Sequence, residues 1–359
     1  MQMIRQFALL FALAAGPVHA LDSSEGQLTV TPIARGLDAP WAFGFLPDGD
    51  ILITEKDGRV LRLVDGTLSA LRGVGPVADV GQGGLLDLLI PADFAESREV
   101  YFSLALSQDR GEGTALARAR LEEGADRLTD WEVLYQIAAG SSGGRHFGSR
   151  LVEGADGMIY MTVGDRGDRP SAQDRSNENG TVLRLTRDGQ PAPGNPFADG
   201  QPAIWSYGHR NPQGAALDLE GRLWVSEHGA RGGDELNLAQ PGANYGWPVI
   251  SYGRHYSGGK IGEGTEKAGM AQPEFYWDPS IAPSGLMIYS GALWPEWRGD
   301  IFTGSLKFGH IARVGGAPLA LQEVIEGPET ARLRDIREAP DGAIWILSAG
   351  NGALYRITP

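Results

Sequence analysis

The chain has 359 residues, well beyond the roughly 250 that one hydrophobic core serves, so several cores or a repeat architecture are expected. Its lack of cysteine excludes a disulfide scaffold, thiol catalysis and thiolate-bound metals, and its formal charge of −14 opposes binding to nucleic acid or anionic membrane. With 52 glycines and 22 prolines, the composition suits many short strands joined by turns rather than a helical bundle.

In chain order, residues 1–20 read as a secretory signal peptide. One charge, Arg5, precedes an apolar stretch from Phe7 to Ala15 that is too short to span a bilayer, and Val18-His19-Ala20 fits a small-residue cleavage site before Leu21. Losing Arg5 takes the formal charge from −14 to −15. A bacterial, Sec-type leader implies the periplasm, and no later apolar run reaches the ~18 residues a membrane span needs. Residues 21–359 then form a single domain.

That domain repeats one phrase: a turn, often Asp-Gly, an apolar strand, a second turn, and a strand of the form x-x-x-Arg-apolar. The copies are Pro47-Asp48-Gly49 to Thr54 with Arg59 to Val64; Glu99 to Ser103 with Ala115 to Leu121; and Ala155-Asp156-Gly157 to Thr162 with Gly180 to Leu185. They continue with Glu220 to Ser226 and Glu235 to Leu238; Gly299 to Thr303 and Gly309 to Val314; and Pro340-Asp341-Gly342 to Leu347 with Gly352 to Ile357. Six such hairpins predict an all-β fold, a six-bladed β-propeller with four-stranded antiparallel blades. Gln27 to Thr31 has no hairpin partner of its own, and is expected to supply the outer strand of the last blade and so close the ring.

Some loops exceed what a hairpin needs. Gly81-Gln82-Gly83-Gly84 offers close backbone approach to a ligand, though taken alone it reads more readily as a plain tight turn. His146, between small residues in Gly143 to Arg150, is a candidate general base. Arg210-Asn211 sets a planar donor fork beside an amide, suited to a carboxylate and a carbonyl on one ligand. Glu227 to Asn237, continuing to Tyr245 and Pro248, supplies hard oxygen ligands of the kind Ca²⁺ takes, without EF-hand spacing, and reads equally as a surface acidic loop. Lys307 lies in Ser305 to Gly309, and Arg332 and Arg334 precede the last blade, where alternation along a strand would set both guanidinium groups on one face. A propeller can bring Arg210, Lys307, Arg332 and Arg334 to one channel mouth. Such a cationic cluster in an acidic protein implies a small polyanionic ligand; scattered surface salt bridges are the alternative.

At these residues the sequence resembles the soluble pyrroloquinoline quinone (PQQ) dependent sugar dehydrogenases, and within them the bacterial aldose sugar dehydrogenase branch, over nearly the whole mature chain from Gly36-Leu37-Asp38-Ala39-Pro40-Trp41 onward. The resemblance implies a six-bladed propeller with PQQ at the channel mouth. It gives Gln82 a contact to PQQ, His146 the role of base, Arg210 and Asn211 the quinone, Lys307 a pairing with it, and Arg332 and Arg334 its carboxylates. It places a structural calcium at Glu235 and Tyr245. The implied reaction oxidises an aldose at its anomeric hydroxyl to a lactone, aided by Ca²⁺ on the quinone oxygen, with electrons passing to an acceptor the residues do not identify. Arg145 stands where the glucose-oxidising branch has an acidic residue, and Arg166 where it has a glutamine near the sugar, so a glucose preference is not implied. A metal-dependent lactonase or esterase propeller, or a non-enzymatic binding propeller, are the competing readings.

Overall fold

The computed structural model describes residues 19–138 and 140–359. The expected leader falls almost wholly outside them. Strands β1 (His19–Ser23) and β2 (Gly26–Arg35) form a hairpin. The first blade is β3 (Pro40–Phe45), β4 (Ile51–Glu55), β5 (Arg59–Val64) and β6 (Thr67–Leu71); the second is β7 (Leu85–Leu89), β8 (Glu99–Gln108), β9 (Gly111–Arg120) and β10 (Thr129–Gln136). The third holds β11 (Leu151–Glu153), β12 (Ile159–Val163), β13 (Thr181–Leu185) and β14 (Ile204–Tyr207), and the fourth β15 (Pro212–Leu217), β16 (Leu223–Glu227), β17 (Asp234–Leu238) and β18 (Phe275–Trp277). The fifth holds β19 (Pro283–Ile288), β20 (Ile301–Ser305), β21 (His310–Gly315) and β22 (Ala320–Glu326). The sixth runs from β23 (Leu333–Glu338) through β24 (Ile344–Ser348) and β25 (Ala353–Thr358) to β2 and β1. The chain is a six-bladed β-propeller with antiparallel blades.

Every repeated hairpin is the middle pair of a blade. The Asp-Gly turns lead into its second strand, and Gly49, Gly157 and Gly342 take φ of +94°, +74° and +81°, which glycine adopts without a Cβ clash. Asp48, Asp156 and Asp341 cap the amide two residues on, at 3.1 Å in each case. The recurrent arginine of the third strand has a structural reason: it crosses the hairpin to the turn carboxylate. Arg62 meets Asp50, Arg184 meets Asp156, Arg313 meets Asp300 and Arg356 meets Asp341, at 2.5–2.7 Å.

Each pair of neighbouring blades encloses its own apolar cluster. Leu52 and Val60 pack on Phe102 and Leu104 between the first two blades, and Met287 and Phe302 pack on Ile336 and Ile346 between the last two. Six interfaces thus replace the single core that the length rules out. Because both faces of a blade are covered, β4, β16, β20 and β24 are buried along their whole length.

Ring closure follows the expectation, with a correction. β2 pairs with β25, joining the two ends of the chain in one blade. It does have a hairpin partner, however, because β1 lies outside it and makes the last blade five-stranded. β1 also spans the expected cleavage point, and Leu21 is buried with Leu28 and Trp297 in the cluster between the fifth and sixth blades.

At the channel, Arg150 just before β11 donates to Asp87 of β7 and Asp335 of β23 at 3.1 and 3.0 Å, and Arg337 of β23 reaches the same two carboxylates at 2.6 and 2.9 Å. Removing one member of such a buried network leaves opposite charge unpaired, at a cost of about 3–5 kcal/mol. Asp87→Ala should therefore lower the midpoint of chemical unfolding by an equivalent amount. A shift of less than about 1 kcal/mol would mean that the network does not tie the inner strands together.

Candidate functional site

The loops that connect blades at one rim enclose a cleft of about 1070 Å³. Gln82, His146, Arg210, Lys307, Arg332 and Arg334 all line it: the first three come from the connections after the first, second and third blades, Lys307 from the β20–β21 hairpin of the fifth, Arg332 from the connection before β23, and Arg334 from β23 itself. Asn211 does not. It is fully buried one layer behind, its Oδ1 accepting from the Gly148 amide at 3.2 Å and its Nδ2 without a partner. Glu235 and Tyr245 line a separate small cavity of about 10 Å³, which shares Arg210, His228 and Gly229 with the cleft wall.

His146 is fixed from several directions. Its Nδ1 lies 2.6 Å from Asp165 Oδ1, its amide donates to Gln82 Oε1 at 2.8 Å, and its carbonyl accepts from the Arg166 amide at 3.3 Å. Asp165 is held in turn by the Gly167 amide and the Trp247 indole, both at 2.7 Å. With Nδ1 engaged, Nε2 is the nitrogen left for a substrate. Burial holds the imidazole pKa below its usual value against the opposing pull of Asp165, and the nearby Arg210 and Arg145 add to the lowering. The ring is therefore neutral, and can accept a proton, at neutral pH.

The four expected cations have no carboxylate partner among the described residues. Arg210 donates to the carbonyls of His228 and Gly229, Lys307 to the Ser280 carbonyl at 3.2 Å, and Arg334 to Gln213 Oε1 at 2.9 Å. Burial, with Arg332 and Arg150 nearby, pushes the Arg334 guanidinium down to about 9. The placement of Arg332 differs from the alternating-strand expectation. It precedes β23 and adopts φ +45°, so its approach to Arg334 comes from a left-handed turn rather than from alternation. Ala39, His146 and Ala282, with φ of 44–54°, also line the cleft, so four of the nine non-glycine residues with positive φ among the described residues gather there. Each costs about 1–3 kcal/mol where the region is sparsely populated, and such costs persist where function requires them.

Two further expectations are corrected. The glycines of 81–84 serve protein packing: a Cβ on Gly81 would strike the Gly144 carbonyl, one on Gly83 the Phe147 ring, and one on Gly84 the Lys56 carbonyl. Arg166 is not beside the substrate space. It is fully buried, lies 3.3 Å from the Phe147 ring centroid, and donates to the carbonyls of Arg145, Glu112 and Ser141.

Sequence reasoning missed Asp165, Trp247, Gln213 and His228 as parts of the site. Asp165 sits in the Gly164-Asp165-Arg166-Gly167 turn after β12, where a carboxylate between glycines was the available signal. His228 Nε2 donates to the Pro283 carbonyl at 2.7 Å, and burial among cations holds its pKa down to about 3, so it is a neutral histidine in the cleft wall. Behind that wall, Asn237 Nδ2 bridges Glu227 and Glu235 at 3.0 and 3.3 Å, and burial beside Glu227 pushes the Glu235 carboxyl well up.

Comparison with known proteins places this architecture. The family model for glucose / sorbosone dehydrogenase matches residues 37–356. The aldose sugar dehydrogenase YliI of Escherichia coli is 39% identical, covering 95% of this chain and 95% of its own. The crystal structure of the soluble aldose sugar dehydrogenase from Escherichia coli in the apo form superposes with a TM-score of 0.89 at 38% identity, over 92% of this chain and 99% of that one. The PQQ-bound form of the aldose sugar dehydrogenase from Streptomyces coelicolor does so with a TM-score of 0.78 at 28% identity, over 92% and 98%. With the family model spanning nearly all of the described chain and the blades superposing throughout, this protein belongs to the glucose / sorbosone dehydrogenase family.

Proposed function

We propose that the chain is a PQQ-dependent dehydrogenase that oxidises aldoses at the anomeric hydroxyl to lactones. The observation that carries this reading is the neutral His146, with one free ring nitrogen, in a cleft whose four cations Arg210, Lys307, Arg332 and Arg334 lack carboxylate partners. PQQ fits that donor set, since its three carboxylates match guanidinium forks. When bound, it supplies the acceptor for the hydride from the anomeric carbon. His146 Nε2 takes the hydroxyl proton, and Asp165 on Nδ1 keeps the ring oriented and favours the imidazolium as it forms. Arg332 and Arg334 would hold carboxylates and Arg210, backed by the buried Asn211, the quinone, with Lys307 paired to it, while Gln82 fixes the backbone of the base. A metal-dependent hydrolase would need carboxylates free for a channel metal and no cationic ring, whereas Asp87 and Asp335 at the channel are paired with Arg150 and Arg337.

Calcium belongs to the same proposal. Glu227, buried, and Glu235, half-buried, are neighbouring carboxyls on a small cavity that Tyr245 also lines, and a hard cation would relieve their repulsion. Tyr245 would offer its carbonyl, because its hydroxyl already donates to Leu238 O and accepts from the Gln240 amide. Export to the periplasm through the leader fits the absence, among the described residues, of any helix long and apolar enough to cross a membrane.

Apo protein given PQQ and Ca²⁺ should reduce a dye in the presence of an aldose. His146→Ala should lower kcat by about 10²–10⁴ with PQQ affinity nearly intact; retention of a third of the activity would remove His146 as the base.

The pH profile follows from the same geometry. A base with a depressed pKa stays neutral further into acid, so the acid limb of kcat/KM should fall below the ordinary histidine value of about 6.5. Asp165→Asn removes the group that raises that pKa, so the limb should move lower still while kcat drops. A limb that moves upward would contradict the pairing.

Arg334→Ala should weaken PQQ about 10- to 100-fold, as loss of a charge-assisted hydrogen bond does. The apo melting temperature should hold or rise, because a buried guanidinium without a counter-charge is relieved. Unchanged PQQ affinity with a lower apo melting temperature would make the arginine structural.

Chelation should lower both activity and the melting temperature, with Ca²⁺ restoring them better than Mg²⁺, since mixed carboxylate and carbonyl ligands suit the larger ion. Equal rescue by Mg²⁺ would count against a calcium site.

A further inference from the structure

The cleft carries a second group of cations that the cofactor assignment does not use. Arg231, in the loop between β16 and β17, and Arg254, in the long connection between β17 and β18, both line the cleft wall. Their backbones form a hydrogen-bonded antiparallel pair, Arg231 N to Arg254 O at 3.1 Å and Arg254 N to Arg231 O at 3.2 Å. Arg254 also stands opposite Lys260, as a non-hydrogen-bonded antiparallel pair, across a hairpin whose tip is closed by the His255 amide donating to the Gly259 carbonyl at 2.7 Å. Residues directly opposite one another on antiparallel segments project to the same face, about 5 Å apart. The register therefore sets three positive charges in one row, from the cleft wall outward.

Like charges directly opposite are destabilising. None of the three has a carboxylate partner among the described residues: Arg231 reaches only the Tyr256 carbonyl at 3.5 Å, and Lys260 the Glu263 carbonyl. Elsewhere this acidic protein does neutralise clustered arginines, as where Arg187 meets Asp93 and Glu99. Tyr256, 70% exposed and lining the cleft, links the row to the base. Its phenol lies against Arg210, and Arg210 is the cation beside His146.

Resting on the dehydrogenase reading above, we propose that Arg231 and Arg254, with Lys260 as the outer member, bind an anionic group of the substrate, so that the preferred substrates are aldoses carrying a carboxylate or phosphate remote from the anomeric carbon. Arg210, Lys307, Arg332 and Arg334 are already assigned to PQQ in that reading, and the additional row starts at the wall and leads out to solvent. It steers anions inward and orients a sugar with its anomeric end toward His146.

The test uses PQQ-reconstituted enzyme with glucose, glucuronic acid and glucose 6-phosphate, the last two separating carboxylate from phosphate recognition. At low ionic strength kcat/KM for at least one anionic sugar should exceed that for glucose about tenfold, and the advantage should shrink as salt shortens the screening length. Arg254→Glu and, at a more exposed position, Lys260→Glu should cut the anionic-to-neutral ratio by tenfold or more. A wild-type ratio at or below one, or a ratio that neither variant changes, overturns the inference while leaving the dehydrogenase reading intact. PQQ affinity falling tenfold in Arg254→Glu also overturns it, by assigning the row to the cofactor. Absence of turnover with all three sugars sinks the dehydrogenase reading itself.

Discussion

The structure depends on how six innermost strands satisfy their polar groups where they converge on a narrow channel. A propeller buries backbone carbonyls there that a flat sheet would leave to water or a neighbouring strand, and each needs a donor. The second strand of every blade carries a buried serine or threonine hydroxyl: Thr54, Ser103, Thr162, Ser226, Thr303 with Ser305, and Ser348. Four of them donate across to the next blade, Thr54 to Leu86, Ser103 to Ser149, Thr162 to Pro212 and Ser226 to Ser284, at 2.5–3.4 Å. The Arg150, Asp87, Asp335 and Arg337 network adds a charged tie among the second, third and sixth blades. Sequential blades are thus joined by direct bonds as well as by apolar faces, and the loops at the rim stand on a fixed frame.

That frame permits the cleft to hold unfavourable features. Among the described residues Arg210, Lys307, Arg332 and Arg334 have no carboxylate partner there, and four residues lining the cleft hold positive φ. Neither arrangement is stable alone, and both are confined to the loops where a ligand is expected. On the outer parts of the blades the same chemistry is resolved conventionally, with the third-strand arginines of four blades meeting hairpin carboxylates. The contrast within one chain separates the arginines that stabilise blades from those that await an anion.

The same contrast explains what was legible in the sequence. Blade count and hairpin positions could be read because most copies rebuild parts of one local solution: a positive-φ glycine, an aspartate capping the turn, and an arginine across from it. The cleft members Gln82, His146, Arg210, Lys307, Arg332 and Arg334 were legible because they break that pattern, standing in loops longer than a turn requires. What escaped depends on distance in the chain. His146 and Asp165 meet through the fold, as do Asp165 and Trp247, whose separation is 82 residues. The conformation of Arg332 and the burial of Arg166 were misjudged because neighbouring residues show neither a left-handed turn nor a layer of carbonyls from other loops. β1 was hidden for another reason: its residues also satisfy the pattern of a cleavage site.

Burial and pairing act on the base in opposite directions, and their balance links frame to chemistry. A histidine in so enclosed a position resists protonation, which keeps Nε2 open as an acceptor but would make it a weak base. Asp165 opposes this from Nδ1, favouring the imidazolium once the proton has moved. Arg210 and Arg145 oppose Asp165, yet a polyanionic cofactor would screen Arg210, so the basicity of His146 should rise when the cleft is filled. The cation beside the base then serves two ends: Arg210 attracts the ligand, and until its charge is screened it lowers the basicity of His146.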